Sequence, residues 1–241
     1  MSEYQLNTAL LMVSYADYMQ QAGQFLTHFK PSSSPFSQYQ RVEVSYSSLM
    51  SVRNGISTTG LSSASYIKGI RIAYGMYENS IVLYFIPALG TYDEEVNGLV
   101  LFDLNETSGD LQTIINNGTF PVYKASGGSL SDIMSSSSEK EDAIDHADNY
   151  YTNIRIIDAN SSARSYNSST DAKAAFFPFQ EIEALYNSYG NPNIYFTSVA
   201  FDDGDDIKHG IIMSHLDPRT NDESEGTIIN SKQFLPYFCD Y

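Results

Sequence analysis

The chain has 241 residues, 42% of them hydrophobic, enough to build a proper core in one large domain or two small ones. Thirteen basic residues stand against 29 acidic ones, a formal charge of −16, so the mean field repels nucleic-acid backbones and anionic lipid headgroups, and a small ligand or a basic protein is the expected partner. A single cysteine, Cys239, excludes an intramolecular disulfide, and no apolar stretch reaches the length of a membrane span.

The opening MSEYQLNTALLMV carries no basic segment, and its apolar run Ala9–Val13 is too short for a signal core. The expectation is a soluble protein, either cytoplasmic or secreted and produced without its leader. Leu11, Tyr15, Tyr18, Ala22, Phe25 and Phe29 recur in steps of three and four, which predicts a helix over residues 4–29 ended by Pro31. Val42, Val44 and Tyr46 alternate as in a short strand, and a helical turn around Leu49–Ile56 follows.

The stretch from Ile67 to Leu89 is the clearest element. Ile70, Ile72, Tyr74 and Met76 line one strand face, Glu78-Asn79-Ser80 turns the chain, and IVLYFI returns it. The return strand is apolar on both faces, which places it inside a sheet covered on both sides. A strand GLVLFDL follows an acidic loop, and another is expected near Phe120–Lys124. The Gly/Ser-rich residues 126–137 have the composition of a connection.

Ser138 and Glu141 have capping-box spacing for a second helix with Ile144, Ala147, Tyr151 and Ile154 on one face. A third helix carries Pro178 near its start and a stripe of Phe179, Ile182, Tyr186 and Tyr189, and stops before Gly190. Two strands, NIYFTSVAF and IKHGIIMSHL, then flank the acidic turn Asp202–Asp206, with Val199, Phe201, Ile211 and Met213 as the expected buried pairs.

Hairpins without regular strand–helix–strand alternation give an α+β fold, with antiparallel sheets and packed helices. The halves run in similar order, a helix-plus-hairpin unit over 1–125 and another over 138–241. That order is compatible with an internal duplication, or with one compact domain.

Candidate chemistry concentrates in FDDGDDIKHGIIMSH, residues 201–215. Four aspartates within five residues repel one another and would be relieved by a hard cation, yet their spacing departs from the EF-hand loop, and Asp-Gly between two alternating runs signals a hairpin turn. Asp203, Asp205 and His209 are the candidate metal ligands. His209 and His215 share a strand face but lie about 20 Å apart along an extended chain, too far for one ion. Asp142, Asp145 and His146 sit at i, i+3 and i+4 of the second helix without the Glu-x-x-His pattern of dimetal bundles. The Ser65–Lys68 stretch SYIK matches a bare Ser-x-x-Lys pattern with no Lys-Thr-Gly after it, and four Asn-x-Ser/Thr triplets, from Asn105, Asn117, Asn160 and Asn167, are expected by chance in so polar a chain. No cofactor fingerprint is present. The sequence thus points to an acidic, non-catalytic binding or interaction protein, with a metal-dependent hydrolase built on residues 201–217 as the alternative.

Overall fold

A computed structural model describes residues 12–56, 67–93, 98–102, 110–118, 120–158, 162–167, 171, 174–202, 207–220, 233–234 and 237–238. The architecture is α+β: among these residues there are five helices and three antiparallel sheets. The short strand β1 (Met12–Val13) precedes helix α1 (Tyr15–His28), followed by β2 (Phe29–Pro31), β3 (Arg41–Ser45) and α2 (Tyr46–Gly55). The long hairpin is β4 (Ile67–Tyr77) and β5 (Ser80–Asp93); β6 (Gly98–Phe102), α3 (Leu111–Asn117), β7 (Tyr123–Ser126) and β8 (Ser129–Asp132) follow. Helix α4 (Ser137–Asn153) leads to β9 (Ile154–Ile157), β10 (Ala163–Ser165), β11 (Ala174–Pro178) and α5 (Phe179–Tyr189). The second hairpin, β12 (Asn193–Asp202) and β13 (Ile207–Ser214), is followed by β14 (Gln233–Phe234) and β15 (Tyr237–Phe238).

The largest sheet runs β15-β11-β4-β5-β7-β8 with β6 also on β5, the second β1-β14-β13-β12-β3, and the third β10-β9-β2. Each sheet draws strands from both halves of the chain: β11 pairs with β4, β3 with β12, and β2 with β9. As the apolar run predicts, β5 is buried on both faces. Ile81, Leu83, Phe85 and Leu89 join the principal core, while Tyr84 and Ile86 join a second cluster with Leu111 and Ile114 of α3 and Ala143 and Ala147 of α4.

The principal core lies between the two large sheets, where Phe85 and Phe177 meet Phe196 edge-on and Ile194, Ala200, Ile211 and Met213 close the other side. Leu49, Val52, Phe179, Ile182 and Leu185 of α2 and α5 complete it. Helix α1 covers the outer face of the β12–β13 hairpin, with Tyr18 and Ala22 against Val199 and Ile212. The layers therefore run α3/α4, large sheet, core, second sheet, α1.

Several boundaries differ from expectation for local reasons. Met12–Val13 pairs with β14, so α1 starts only at Tyr15, where the Ser14 side chain accepts the backbone N–H of Asp17. Residues 4–11 of the expected helix lie outside the described residues. The cap of α4 is Ser136, bonded to the N–H of Glu139, and not the Ser138/Glu141 pair two residues later. Its buried face is Ala143, His146, Ala147 and Tyr150, a stripe hidden by the polar reading of His146, with Ile144 and Tyr151 flanking it. The Gly/Ser-rich connection contains β8, folded back on β7 through Gly127 and Gly128. In the second hairpin Val199 lies opposite Gly210 and faces α1, whereas Ile211 and Met213 face the core opposite Ser198 and Phe196.

Gly75 permits a close approach of helix and sheet. A Cβ on Gly75 would lie 3.1 Å from both the His146 Cβ and a Tyr84 ring carbon, so the bare backbone of β4 lets α4 settle directly on the sheet.

Phe25 is fully buried and stacks on Phe29 and Phe36 at 4.9 and 5.5 Å between centroids. Phe25→Ala is expected to lower unfolding free energy by about 3–5 kcal/mol in urea denaturation; a loss below about 1 kcal/mol would mean that the ring contributes no core packing.

Candidate functional site

Of the candidate groups in residues 201–217, the described ones, His209, His215 and Asp217, lie in different surroundings. Asp203 and Asp205 lie outside the described residues. His209 points from β13 into the principal core at 4% exposure, stacked on Tyr74 at 4.1 Å and tilted against Phe25 and Phe29. Its Nδ1 is 2.6 Å from the Tyr150 hydroxyl, and its Nε2 is buried without a hydrogen-bond partner among the described residues. Burial drives its pKa down to about 3, so the ring is neutral. His215 follows the unbroken strand and stacks on Tyr189 at 3.7 Å. Asp217 receives a two-pronged bond from Arg41 at 2.5 and 2.9 Å.

His146 also turns inward. Its Nδ1 is 2.7 Å from the Tyr84 hydroxyl; burial, and then the charge of Lys124, lower its pKa against the opposing pull of Asp142 and Asp145. Those two aspartates are exposed, so the helical triplet does not converge. Among the described residues no group of three or more His, Cys, Asp or Glu side chains is placed to hold a metal ion.

What the fold does assemble is a cleft of about 680 Å³ at the tip of the β4–β5 hairpin, lined by Ser32, Ser33, Met76, Glu78, Asn79, Asn149 and Asn153. Three elements meet there: the chain leaving β2, the hairpin turn, and the last two turns of α4. The Ser32 hydroxyl and backbone N–H both donate to the Asn153 carbonyl, at 2.8 and 2.9 Å. Asn149 donates from Nδ2 to the Met76 carbonyl at 2.8 Å and accepts from Asn153 Nδ2. Asn79 accepts from the Ser33 hydroxyl at 2.6 Å and donates to Ser34 at 2.8 Å. The side chains hold one another in place, and since a carboxamide has two N–H donors and two acceptor lone pairs, each asparagine keeps capacity for a ligand.

Glu78 completes the rim. It occupies the first position of the two-residue loop closed by the Tyr77–Ser80 pair, with φ +51°, a conformation that glycine adopts freely and other residues at a cost. Tyr77, between Met76 and Glu78, is 55% exposed, and its ring rests 5.1 Å from His146, three residues before Asn149 on α4.

No family model matches the chain, and neither does any curated protein or solved structure.

These residues are invisible as a motif because they are distant in sequence and carry no titratable pattern. Two signals were available: Asn149 and Asn153 stand at i and i+4, one helix face, and a glutamate occupies a turn position that favours glycine.

A second buried polar group lies elsewhere. Glu181, in the first turn of α5, is fully buried, and neither carboxylate oxygen has a hydrogen-bond partner among the described residues. Burial raises its pKa to about 8. A carboxyl with a folded value above its unfolded one stabilises nothing by ionising: stability is fully present below the unfolded value of 4.5 and declines as pH rises toward about 8. Glu181→Gln, which mimics the protonated form, is therefore expected to raise unfolding free energy at pH 7 by about 1–3 kcal/mol and to have no such effect near pH 4. Equal stability of wild type and variant at both pH values in urea denaturation would contradict this account of Glu181.

Proposed function

We propose that this chain is a non-catalytic binding protein that takes a small polar ligand in the cleft at the β4–β5 tip. The observation that supports it is the interlocked set of Ser and Asn side chains, each with unspent hydrogen-bonding capacity, lining one cleft with Glu78, which is held in a strained turn. Preorganised polar groups bind well because little side-chain freedom is lost on association. Backbone strain of this kind costs about 1–3 kcal/mol and persists at sites where a side chain is needed in one place. The cleft volume lies in the range of small-molecule sites, roughly 300–1,000 Å³.

The metal-dependent hydrolase alternative requires His209 to reach solvent and an ion. Its position among Phe25, Phe29 and Tyr74, with Nδ1 engaged by Tyr150, argues against that role. A cleft lined by carboxamides and hydroxyls also supplies no obvious nucleophile–base pair.

Glu78→Gly separates a binding role from a folding one. Relief of the positive φ, partly offset by the freedom glycine gains in the unfolded chain, is expected to leave the variant more stable by about 0.5–1 kcal/mol. Thermal unfolding of wild type and variant is then compared against a panel of small polar compounds. A ligand of the cleft at one hundred times its Kd stabilises the wild type by about 2.7 kcal/mol, and the variant is expected to lose that gain. A compound that stabilises both equally binds elsewhere, and a panel without effect on the wild type contradicts the proposal.

A further inference from the structure

We infer that the ligand of this cleft is a neutral saccharide of one or two sugar units. The inference rests on the cleft being the ligand site and deepens it by naming the chemical class. Two features of the lining select for sugars over other polar molecules.

The first is the balance of donors and acceptors. A sugar hydroxyl both donates and accepts, and a carboxamide offers both functions side by side, so Asn79, Asn149 and Asn153 can each meet a hydroxyl whichever way its proton points. Their Nδ2 and Oδ1 atoms are already oriented by internal bonds, to Met76, Ser33, Ser34 and one another. The second is Glu78. A single carboxylate, acceptor-only, takes hydrogen bonds from two vicinal hydroxyls through its two oxygens, and charge assistance makes these bonds stronger than neutral ones.

The same lining disfavours other classes. None of the lining side chains is a lysine or arginine, and the chain carries a formal charge of −16, so a phosphate or carboxylate ligand meets repulsion without a counter-charge. A polyamine would find one carboxylate, and its remaining ammonium groups would face amides and hydroxyls that compensate poorly for lost hydration.

The test is saturation-transfer and chemical-shift NMR on the full chain with glucose, galactose, mannose and N-acetylglucosamine and their disaccharides, with spermidine and inorganic phosphate alongside. Glu78→Gln and Asn79→Ala are run as variants, both at exposed lining positions, with thermal unfolding to show that each is folded. The expected result is saturable binding of at least one saccharide, shifts at the side-chain amides of Asn79, Asn149 and Asn153, and affinity weakened about tenfold or more in each variant, the loss of one good contact. Spermidine shifting the same amides, with no saccharide doing so, would overturn the saccharide assignment while leaving the cleft as the ligand site. Saccharide binding with shifts elsewhere, or unchanged in both variants, would overturn the inference, and no binding by any probe would overturn both it and the reading of the cleft.

Discussion

The hydrogen bond between the Tyr150 hydroxyl and His209 Nδ1 sits in the middle of the principal core, and much of the architecture around it follows from keeping that imidazole neutral. Taking an imidazolium out of water costs several kcal/mol, so the ring is buried uncharged and must satisfy at least one nitrogen. Tyr150 does so, and burial pushes the pKa of its phenol well up, so the hydroxyl keeps its proton. We assign the phenol as donor to Nδ1, because this puts an N–H at Nε2 rather than a lone pair among the surrounding rings of Phe25, Phe29 and Tyr74. Those rings come from α1, the start of β2 and β4, so one polar contact organises three elements.

Helix α4 carries both buried Tyr–His pairs. Tyr150 reaches β13 of the second sheet, and His146 reaches Tyr84 on β5 of the large sheet. One helix is thus bonded to both sheets, and Gly75 lets it lie close on β4. Its last two turns can therefore present Asn149 to the Met76 carbonyl and Asn153 to the chain leaving β2. The cleft inherits its geometry from the core: what holds α4 holds the amides that line the cleft. Stability and the proposed binding role are coupled through one element, which is why the substitutions that separate them lie on the hairpin turn and not on the helix.

The sequence carried the hairpins and the doubly buried β5 clearly, because apolar alternation and turn residues are local properties. The end of α5 was equally legible at Gly190, which adopts φ +66°. The stripe of α4 was misread because His146 and Tyr150 behave as core residues only when a partner hydroxyl or imidazole arrives from another strand, and that partner is more than fifty positions away. The burial of His209 was not legible, since a strand's inner face is set by the sheet that packs on it. Ser32, Ser33 and Asn79 read as ordinary loop residues. Only the crossing of β2, the hairpin tip and α4 makes them a site.

The central claim is that His209 is a neutral, buried imidazole, protonated on Nε2 and accepting at Nδ1 from Tyr150. A titration of the histidine ring nitrogens by NMR between pH 8 and pH 4 tests it most directly. The account predicts that His209 keeps the chemical shifts of the neutral Nε2–H form over the whole range in which the protein is folded, with no inflection at the ordinary imidazole value near 6.5. An inflection near that value in the folded protein, or shifts of the opposite tautomer, would contradict it.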